Sequence, residues 1–378
     1  MSAGHLCLLG DANHVHVRRW AAAMLERGWR VSVVTARPQA QEGVTQQVLP
    51  PVTRSADWLW RVGAARRAIA GLQPDLLHAH YISSYGYLGA RCKGERPLVM
   101  TAWGSDLLVT PMQSAPKRWL TGWTLRRADA ITGDSADLVA AAQAYRPHAE
   151  LLELHWGVEL NRFAPAPWAS KPGFELVSLR SWSDNYRIEL ILRAVAQLCS
   201  ASGASGGPGV CLHLLGGGPD EARLRQLAAE LGLAERAVFH GRLDDAGMRA
   251  VMDRCKLSLS LPASDATSVS LLESMACGLA VLASDLPANR QWLPAEALVP
   301  VDDLPATVAR LARLQQDDAA TERLGAKARL QLQLALDELG ALSLPGHGLA
   351  GIVDLGCQLG AADVQFLTVQ HQPQLNLD

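Results

Sequence analysis

Residues 264–278 read SDATSVSLLESMACG and hold two carboxylates, Asp265 and Glu273, on either side of a Thr/Ser-rich loop. We predict that Ser268 caps a short helix over Val269–Cys277, because its hydroxyl can accept a hydrogen bond from an N–H group two or three residues later. The first turn of a helix offers free N–H groups and the positive end of the helix dipole, which suits a phosphate. The segment therefore predicts a site for a ligand that carries both phosphate and sugar hydroxyls.

Apolar strands alternate with helical segments along the chain, and this alternation occurs twice. The first series begins with the strand Leu6–Gly10, and the second series begins at Phe174. The proline-rich stretch 161–172 between them breaks the period, and we predict that it is a linker. Such alternation is typical of parallel sheets covered by helices, in which ligands bind at the carboxyl ends of the strands. We predict an α/β protein with two doubly wound, Rossmann-like domains, residues 1–165 and 166–330, that face a central cleft.

The composition is that of an ordinary soluble protein: 378 residues, 49% hydrophobic and 19% charged, with a net charge of −2. A nearly neutral chain has no electrostatic preference for nucleic acid. The seven cysteines show no C-x-x-C pair and no metal-ligand spacing, so we expect reduced thiols, no bound metal and a cytoplasmic location. No apolar run approaches the ~18 residues of a spanning helix, and Met1–Gly10 lacks the pattern of a signal peptide. Residues 331–378 have no clear period, and we expect a divergent or partly disordered tail.

Segment 264–278 resembles the acid-x7-acid signature of family 4 retaining glycosyltransferases (glycosyltransferase group 1), which have the GT-B fold. That family usually begins the motif with Glu, and Asp265 is one methylene shorter. The small-residue run Gly278–Asp285 is similar to the strand that follows the motif in the family. The resemblance covers roughly residues 5 to 328 and implies transfer of a sugar from a nucleoside diphosphate sugar, a co-substrate rather than a cofactor. It also implies that Asp265 orients the sugar hydroxyls and Glu273 the ribose hydroxyls.

A turn with two arginines is similar to the diphosphate-binding turn of the family. Arg180 matches the family arginine, whereas Arg187 stands at a longer spacing in place of a lysine. A guanidinium can bind phosphate oxygens in a bidentate fork, so the resemblance implies that both stabilise the leaving diphosphate. A solvated helix residue is the alternative for Arg187. The run Gly216–Pro219 would let the backbone approach a nucleotide closely. The predicted donor-binding residues are Glu273, Thr267, Ser268, Val269 and Gly217.

Two segments of the first series resemble acceptor-side elements of the family. His16–Trp20 is similar to a His-x-x-Arg-Trp element and places His16 at a strand-to-helix turn. Thr101–Asp106 is similar to a Thr-x-His-Gly-x-Asp loop in which Trp103 stands in place of the histidine. Trp103 could instead stack on the face of a sugar. His80 ends a strand and could equally be a surface histidine, and Asp106 could equally cap a helix. The predicted acceptor-side residues are His16, His80, Trp103, Ser105 and Asp106.

Residues 58–67 and 117–127 hold tryptophans and bases at helical spacing. This pattern is typical of core helices with a basic edge, and also of helices that rest on an anionic bilayer. We expect a carbohydrate or lipid-linked acceptor, in surface polysaccharide or glycolipid synthesis, and peripheral contact with the inner face of a membrane stays open. Two other functions also stay open: a nucleotide-sugar epimerase, which needs no acceptor, and a catalytically impaired GT-B module that binds its ligand without turnover.

Overall fold

The computed structural model describes residues 4–155, 157–158, 160–201, 209–341 and 367–369. The chain forms two compact units, and the division between them falls after His155. Each unit contains one sheet, and every ladder among the first thirteen strands is parallel. This arrangement confirms the α/β class that the alternating pattern predicts.

The first unit is built on a parallel sheet whose central strands are apolar and completely buried, as expected for strands that are covered by helices on both faces. The strands are β1 (His5–Leu9), β2 (Arg30–Thr35), β3 (Val44–Val48), β4 (Leu76–His80), β5 (Leu98–Thr101), β6 (Ala130–Gly133) and β7 (Glu150–His155), in the order β7-β6-β5-β4-β1-β2-β3. The helices are α1 (Val15–Glu26), α2 (Asp57–Leu72), α3 (Tyr87–Cys92), α4 (Ser105–Leu108), α5 (Ala115–Leu125) and α6 (Ala136–Gln143).

The second unit repeats the plan around a core of Leu, Val, Ile and Ala side chains, with Trp182 fully buried among them. Its strands are β8 (Phe174–Ser178), β9 (Val210–Leu215), β10 (Ala237–Gly241), β11 (Leu257–Ser260), β12 (Ala280–Ser284) and β13 (Leu298–Val299), in the order β10-β9-β8-β11-β12-β13. Its helices are α7 (Ile188–Ala201), α8 (Glu221–Glu230), α9 (Asp245–Arg254), α10 (Val269–Ala276), α11 (Pro287–Arg290), α12 (Leu304–Gln316) and α13 (Asp318–Ala341). A last strand, β14 (Leu367–Val369), lies beside β7 in the first sheet.

The strand order reverses once in each sheet, and the predicted site residues follow the strands at these reversals. In the second unit β9 and β11 flank β8, so Arg180 after β8 and Asp265 after β11 reach the same carboxyl edge. In the first unit β2 and β4 flank β1, which places the loops after β1 and β4 side by side. Ligands of doubly wound sheets bind at such reversal points, because the two flanking loops diverge there and leave a crevice.

Three elements differ from the sequence prediction. The strand β3 reads VTQQV and lies at an edge of the sheet, half exposed, so it carries almost no apolar signal. The helix α13 continues to Ala341, so the first part of the predicted tail 331–378 is helical, and residues 342–366 and 370–378 lie outside the described residues. Within the predicted linker 161–172, Phe163 is 2% exposed and packs into the core of the second unit.

Candidate functional site

The centre of the candidate donor site is the guanidinium of Arg180, two positions after β8 and 8% exposed. Its Nη2 donates to Asp265 Oδ2 at 2.5 Å, and its Nη1 donates to the hydroxyls of Ser268 and, at 3.2 Å, Ser270. The ring of Tyr186 lies 4.5 Å from the guanidinium carbon and covers it. Residues separated by 85 positions or more in the sequence thus form one charge-assisted network, as a buried cation requires.

The helix α10 begins beside this guanidinium, and its first turn has the predicted cap. Ser268 has extended backbone angles (φ −82°, ψ 119°), and its Oγ accepts from the N–H of Leu271 at 3.4 Å. Val269 is the first residue of the helix, and Glu273 lies half-buried one turn further on. The Oγ of Thr267 accepts from the indole N–H of Trp292 at 3.3 Å. The helix start is therefore held by side chains on both sides.

Two serines fix α10 to the neighbouring strand. The Ser274 hydroxyl donates to the carbonyl of Ser270 at 2.8 Å, and its Oγ lies 2.9 Å from Ser258 Oγ on β11, whose hydroxyl can donate to it. Because helix and strand are joined by buried hydroxyls, the N-terminal turn of α10 has a defined position relative to the sheet edge. A site that acts by electrostatic positioning depends on such fixed donors.

The glycine run packs against the Arg180 turn. Gly216 has φ +148°, and a Cβ there would lie 2.5 Å from the carbonyl oxygen of Arg180. A Cβ at Gly218 would overlap the carbonyl oxygen of Trp182, whereas one at Gly217 would make only ordinary contacts with Arg242. The sequence prediction selected Gly217 for its approach to a nucleotide, and that role stays a prediction. The geometric need for glycine is at the two positions beside it.

Arg187, the other predicted diphosphate-binding arginine, makes a different ion pair. It has a left-handed backbone (φ +52°), and its Nη2 pairs with Asp302 Oδ2 at 2.9 Å, both side chains being partly exposed. It lines a polar cavity of about 260 Å³ together with Asp184, Asp220 and Arg223. The structure therefore joins Arg180, but not Arg187, to Asp265 by a direct ion pair within the described residues.

The predicted acceptor-side residues meet around the indole of Trp103 in the first unit. Its ring centroid lies 4.2 Å from that of His14, 5.2 Å from that of His16 and 5.8 Å from that of His80. The indole N–H also donates to His80 Nδ1 at 3.4 Å. Sequence reasoning missed His14, although its position two residues before His16 in the loop after β1 could have indicated it. We refer to Trp103, His14, His16 and His80 as the ring cluster.

Two imidazoles of the ring cluster, those of His16 and His80, are neutral at neutral pH. Desolvation lowers the pKa of His16 and of His80 well below its ordinary value, and nearby histidines lower it further. His78 stacks on His80 with ring centroids 4.3 Å apart, because residues two positions apart lie on the same face of β4, and burial lowers the pKa of His78 to about 3. The indole of Trp103 with the neutral imidazoles of His16 and His80 suits the C–H face and hydroxyls of a sugar better than an anion.

Asp106 is completely buried and joins two loops. Its carboxylate accepts from the backbone N–H of Ile82 at 2.6 Å and of Trp103 at 3.0 Å. Burial raises the pKa of Asp106 to about 6, although these backbone hydrogen bonds oppose the shift. Ser105 Oγ lies 2.9 Å from the hydroxyl of Tyr81. The contact of Asp106 or Ser105 with an acceptor stays a prediction, and the observed role of Asp106 is to hold the loops after β4 and β5 together.

Three potential metal ligands converge in the second unit, although the sequence predicted no metal. Donor atoms of Glu175, His213 and Cys255 lie within 4.8 Å of one another. Both oxygens of Glu175 already accept from Arg254, at 2.8 and 3.1 Å, and one lies 3.1 Å from His213 Nε2. Burial raises the pKa of the Cys255 thiol, which disfavours the thiolate that a metal needs. The geometry is that of an ion pair between the buried carboxylate of Glu175 and the exposed guanidinium of Arg254.

Two α/β units, each built on a parallel sheet, are the architecture of the GT-B class of glycosyltransferases. Family models match both: "Glycosyl transferase 4-like" over residues 5–135 and "Glycosyl transferases group 1" over residues 166–331. Together they cover most of the chain, which belongs to the family 4, group 1 glycosyltransferases.

Individual relatives are distant in sequence. N-acetyl-alpha-D-glucosaminyl L-malate synthase of Bacillus anthracis is 23% identical over 272 residues, 68% of this chain and 69% of the relative. A phosphatidyl-myo-inositol mannosyltransferase of Mycolicibacterium smegmatis is 31% identical over 48% of this chain and 47% of its own length. Among solved structures, Anabaena HepE in complex with UDP-glucose superposes with a TM-score of 0.72 at 17% identity, over 88% of this chain and 95% of that one. This last likeness shows the fold.

Proposed function

We propose that the chain transfers a glycosyl group from a nucleoside diphosphate sugar to a carbohydrate or lipid-linked acceptor, with retention at the anomeric carbon and without a divalent ion. The observation that carries the proposal is the buried guanidinium of Arg180 beside the capped start of α10. The solved complex of Anabaena HepE with UDP-glucose supports this class of donor. The mycobacterial relative, a phosphatidyl-myo-inositol mannosyltransferase, supports a lipid-linked acceptor and a place in glycolipid or surface polysaccharide synthesis.

The main chemical task is to stabilise the departing diphosphate. Negative charge develops on it as the glycosidic bond breaks, and preorganised donors lower the barrier most when they already point at that charge. Arg180 supplies a fixed positive charge, and its Nε has no hydrogen-bond partner among the described residues. The backbone N–H groups of Ser268 and Val269 supply the positive end of α10. Arg187 would have to exchange Asp302 for the diphosphate in order to add a second charge.

The carboxylates recognise the sugar parts of the donor. In the structure Asp265 pairs with Arg180 and so fixes the guanidinium, and in the donor complex its carboxylate would also orient a hydroxyl of the transferred sugar. Glu273, on the next turn of α10, would accept from the ribose hydroxyls. Thr267 and the glycine run complete the donor site. With protein cations at the diphosphate, the transfer needs no metal ion.

The ring cluster of the first unit would bind the acceptor. Trp103 offers a flat apolar face, and neutral imidazoles offer hydrogen bonds without charge. Nε2 of His80 is buried and has no hydrogen-bond partner among the described residues. An acceptor hydroxyl would satisfy it.

The decisive test is a thermal-shift panel of UDP-, GDP- and ADP-sugars, run with EDTA and again with Mg²⁺. A ligand that binds only the folded protein raises the melting temperature by mass action. We expect one nucleotide to raise it equally in both buffers, and Arg180→Ala and Glu273→Ala to abolish the shift. Arg313→Ala, at an exposed position on α12, is the matched control. An undiminished shift in Arg180→Ala would remove that residue from the mechanism.

Product analysis then separates the competing functions. A transferase releases nucleotide only when an acceptor is present or when water replaces it, and the product keeps the anomeric configuration of the donor. An epimerase would change the sugar of the donor without releasing nucleotide. An impaired binding module would give the thermal shift and no product.

A further inference from the structure

The first unit carries several large apolar side chains that lie outside the hydrophobic core and are exposed to solvent. Trp60 is 78% exposed, Trp119 64% and Met112 61%, and Leu59 is also exposed. Their neighbours Trp58 and Trp123 behave differently, although they belong to the same helices. Trp58 packs on Tyr85 with centroids 4.6 Å apart, and Trp123 is covered by the guanidinium of Arg127 at 3.6 Å. Contacts with Tyr85 and Arg127 therefore account for two of these four tryptophans and leave Trp60 and Trp119 unexplained.

The exposed tryptophans lie toward one edge of one helical layer. The helices α2, α3 and α5 pack side by side. Both α2 and α5 end a few residues before the strand that follows them, β4 or β6, so they run opposite to the parallel strands and their first turns point toward the carboxyl edge. Trp60 is the fourth residue of α2, and Trp119 is the fifth of α5. Met112 precedes α5 by three positions.

The charge around these side chains is strongly positive, although the whole chain has a net charge of −2. Residues 49–72 hold four arginines and one acid, and residues 105–127 hold four bases and one acid. The acid of the second segment, Asp106, is completely buried, whereas Lys117 and Arg118 are exposed. Tryptophan beside lysine and arginine is the combination that binds the interface of an anionic bilayer.

We propose that this surface, formed by Leu59, Trp60, Met112, Lys117, Arg118 and Trp119, rests on an anionic phospholipid bilayer. None of the helices in the described part of the chain is long and apolar enough to cross a membrane. Contact is therefore peripheral, with the indoles at the level of the headgroups and the bases on lipid phosphates. The same carboxyl edge carries the ring cluster, so the surface would hold the acceptor side of the unit close to a lipid headgroup. This binding does not depend on the proposed transfer reaction.

The test is co-sedimentation of the full chain with vesicles of phosphatidylcholine alone and with phosphatidylglycerol added, without donor or acceptor. We expect binding only to the anionic vesicles and a loss of binding as salt is raised. The double variant Trp60→Ala/Trp119→Ala, and separately Lys117→Glu/Arg118→Glu, should weaken binding by roughly tenfold or more.

Controls keep the result interpretable. Leu330→Ala and Leu334→Ala remove similarly exposed apolar side chains from the second unit and should leave vesicle binding unchanged. All variants should keep the wild-type melting temperature and the donor-induced shift, which separates this proposal from that of the donor site. Equal binding of wild type to neutral vesicles, no binding to either kind, or undiminished binding by both double variants would each overturn the bilayer assignment. A surface that binds only another protein would give the second of these outcomes.

Discussion

Asp265→Asn removes the ion pair between Arg180 and Asp265, and we expect it to lower the stability of the fold without weakening nucleotide binding. The side chains of Arg180 and Asp265 are 9% and 16% exposed, and the distance from Nη2 to Oδ2 is 2.5 Å. With charge centres about 4 Å apart and an effective dielectric constant of about 20, the Coulomb attraction is on the order of 4 kcal/mol. Relief of the buried carboxylate's desolvation offsets part of this energy, and the serine hydroxyls still hold the guanidinium. We therefore expect the free energy of unfolding to fall by about 1–3 kcal/mol.

The same substitution should not weaken the binding of UDP, or of whichever nucleoside diphosphate the panel selects. A neutral amide in place of the Asp265 carboxylate removes the negative charge that competes with a diphosphate for the guanidinium, so the nucleotide should bind at least as tightly as in wild type. Arg180→Ala removes a charge-assisted donor and should weaken the nucleotide by roughly ten- to hundredfold. Transfer to the acceptor should fall in both variants.

Urea unfolding followed by circular dichroism, and calorimetric titration with the free nucleotide, measure the two effects. Glu221→Gln is the matched control, because Glu221 pairs with Arg225 at 2.9 Å on an exposed helix face and its loss should change stability by less than about 1 kcal/mol. A stability cost in Asp265→Asn no larger than that of this control would refute the reasoning. A loss of nucleotide affinity as large as that of Arg180→Ala would refute it equally.

Three further predictions follow from the packing around the two sites. Gly218→Ala should lower the free energy of unfolding by about 2 kcal/mol or more, because its Cβ would overlap the carbonyl of Trp182. Gly217→Ala should leave the free energy of unfolding nearly unchanged, and the midpoints of urea unfolding measure both effects. Asp106 has a pKa of about 6 in the folded protein against 3.8 as its ordinary value, so its contribution to stability is complete below about pH 4 and is lost as the pH rises through 6. Melting temperatures from pH 4 to 8 should show this loss, and Asp106→Asn should remove that part of the slope. Trp103→Ala should raise the KM for the acceptor while the donor-induced shift stays unchanged; an unchanged acceptor KM would exclude stacking on Trp103.

The periodic and local features of the fold were predictable from the sequence. Apolar runs that alternate with helical segments predict parallel sheets, because strands that are buried on both faces contain few polar side chains. The capping of α10 by Ser268 was predictable for the same local reason, since the interaction spans only three residues. By contrast, β3 was missed because an exposed edge strand can be polar.

Long-range partnerships were not predictable. The sequence placed Asp265 and Arg180 in one donor site only through the family resemblance, and their direct ion pair was not predicted, because it depends on β8 and β11 being neighbours in the sheet. The ring cluster was found in part, since His16, His80 and Trp103 each lie at or soon after the end of a strand, but His14 enters it through the shape of a loop. The sequence also did not show which tryptophans of α2 and α5 are exposed. Trp60 and Trp119 are exposed whereas Trp58 and Trp123 contact other side chains, because the faces of each helix meet different neighbours.

The carboxylate of Asp106 accepts hydrogen bonds from the backbone N–H groups of Ile82 and Trp103, and these bonds do not involve the side chains of those two residues. Position 103 can therefore exchange one aromatic or imidazole group for another while the peptide frame beneath it keeps its shape. If Trp103 contacts the acceptor as proposed, a change of acceptor preference would require a single substitution on an unchanged scaffold.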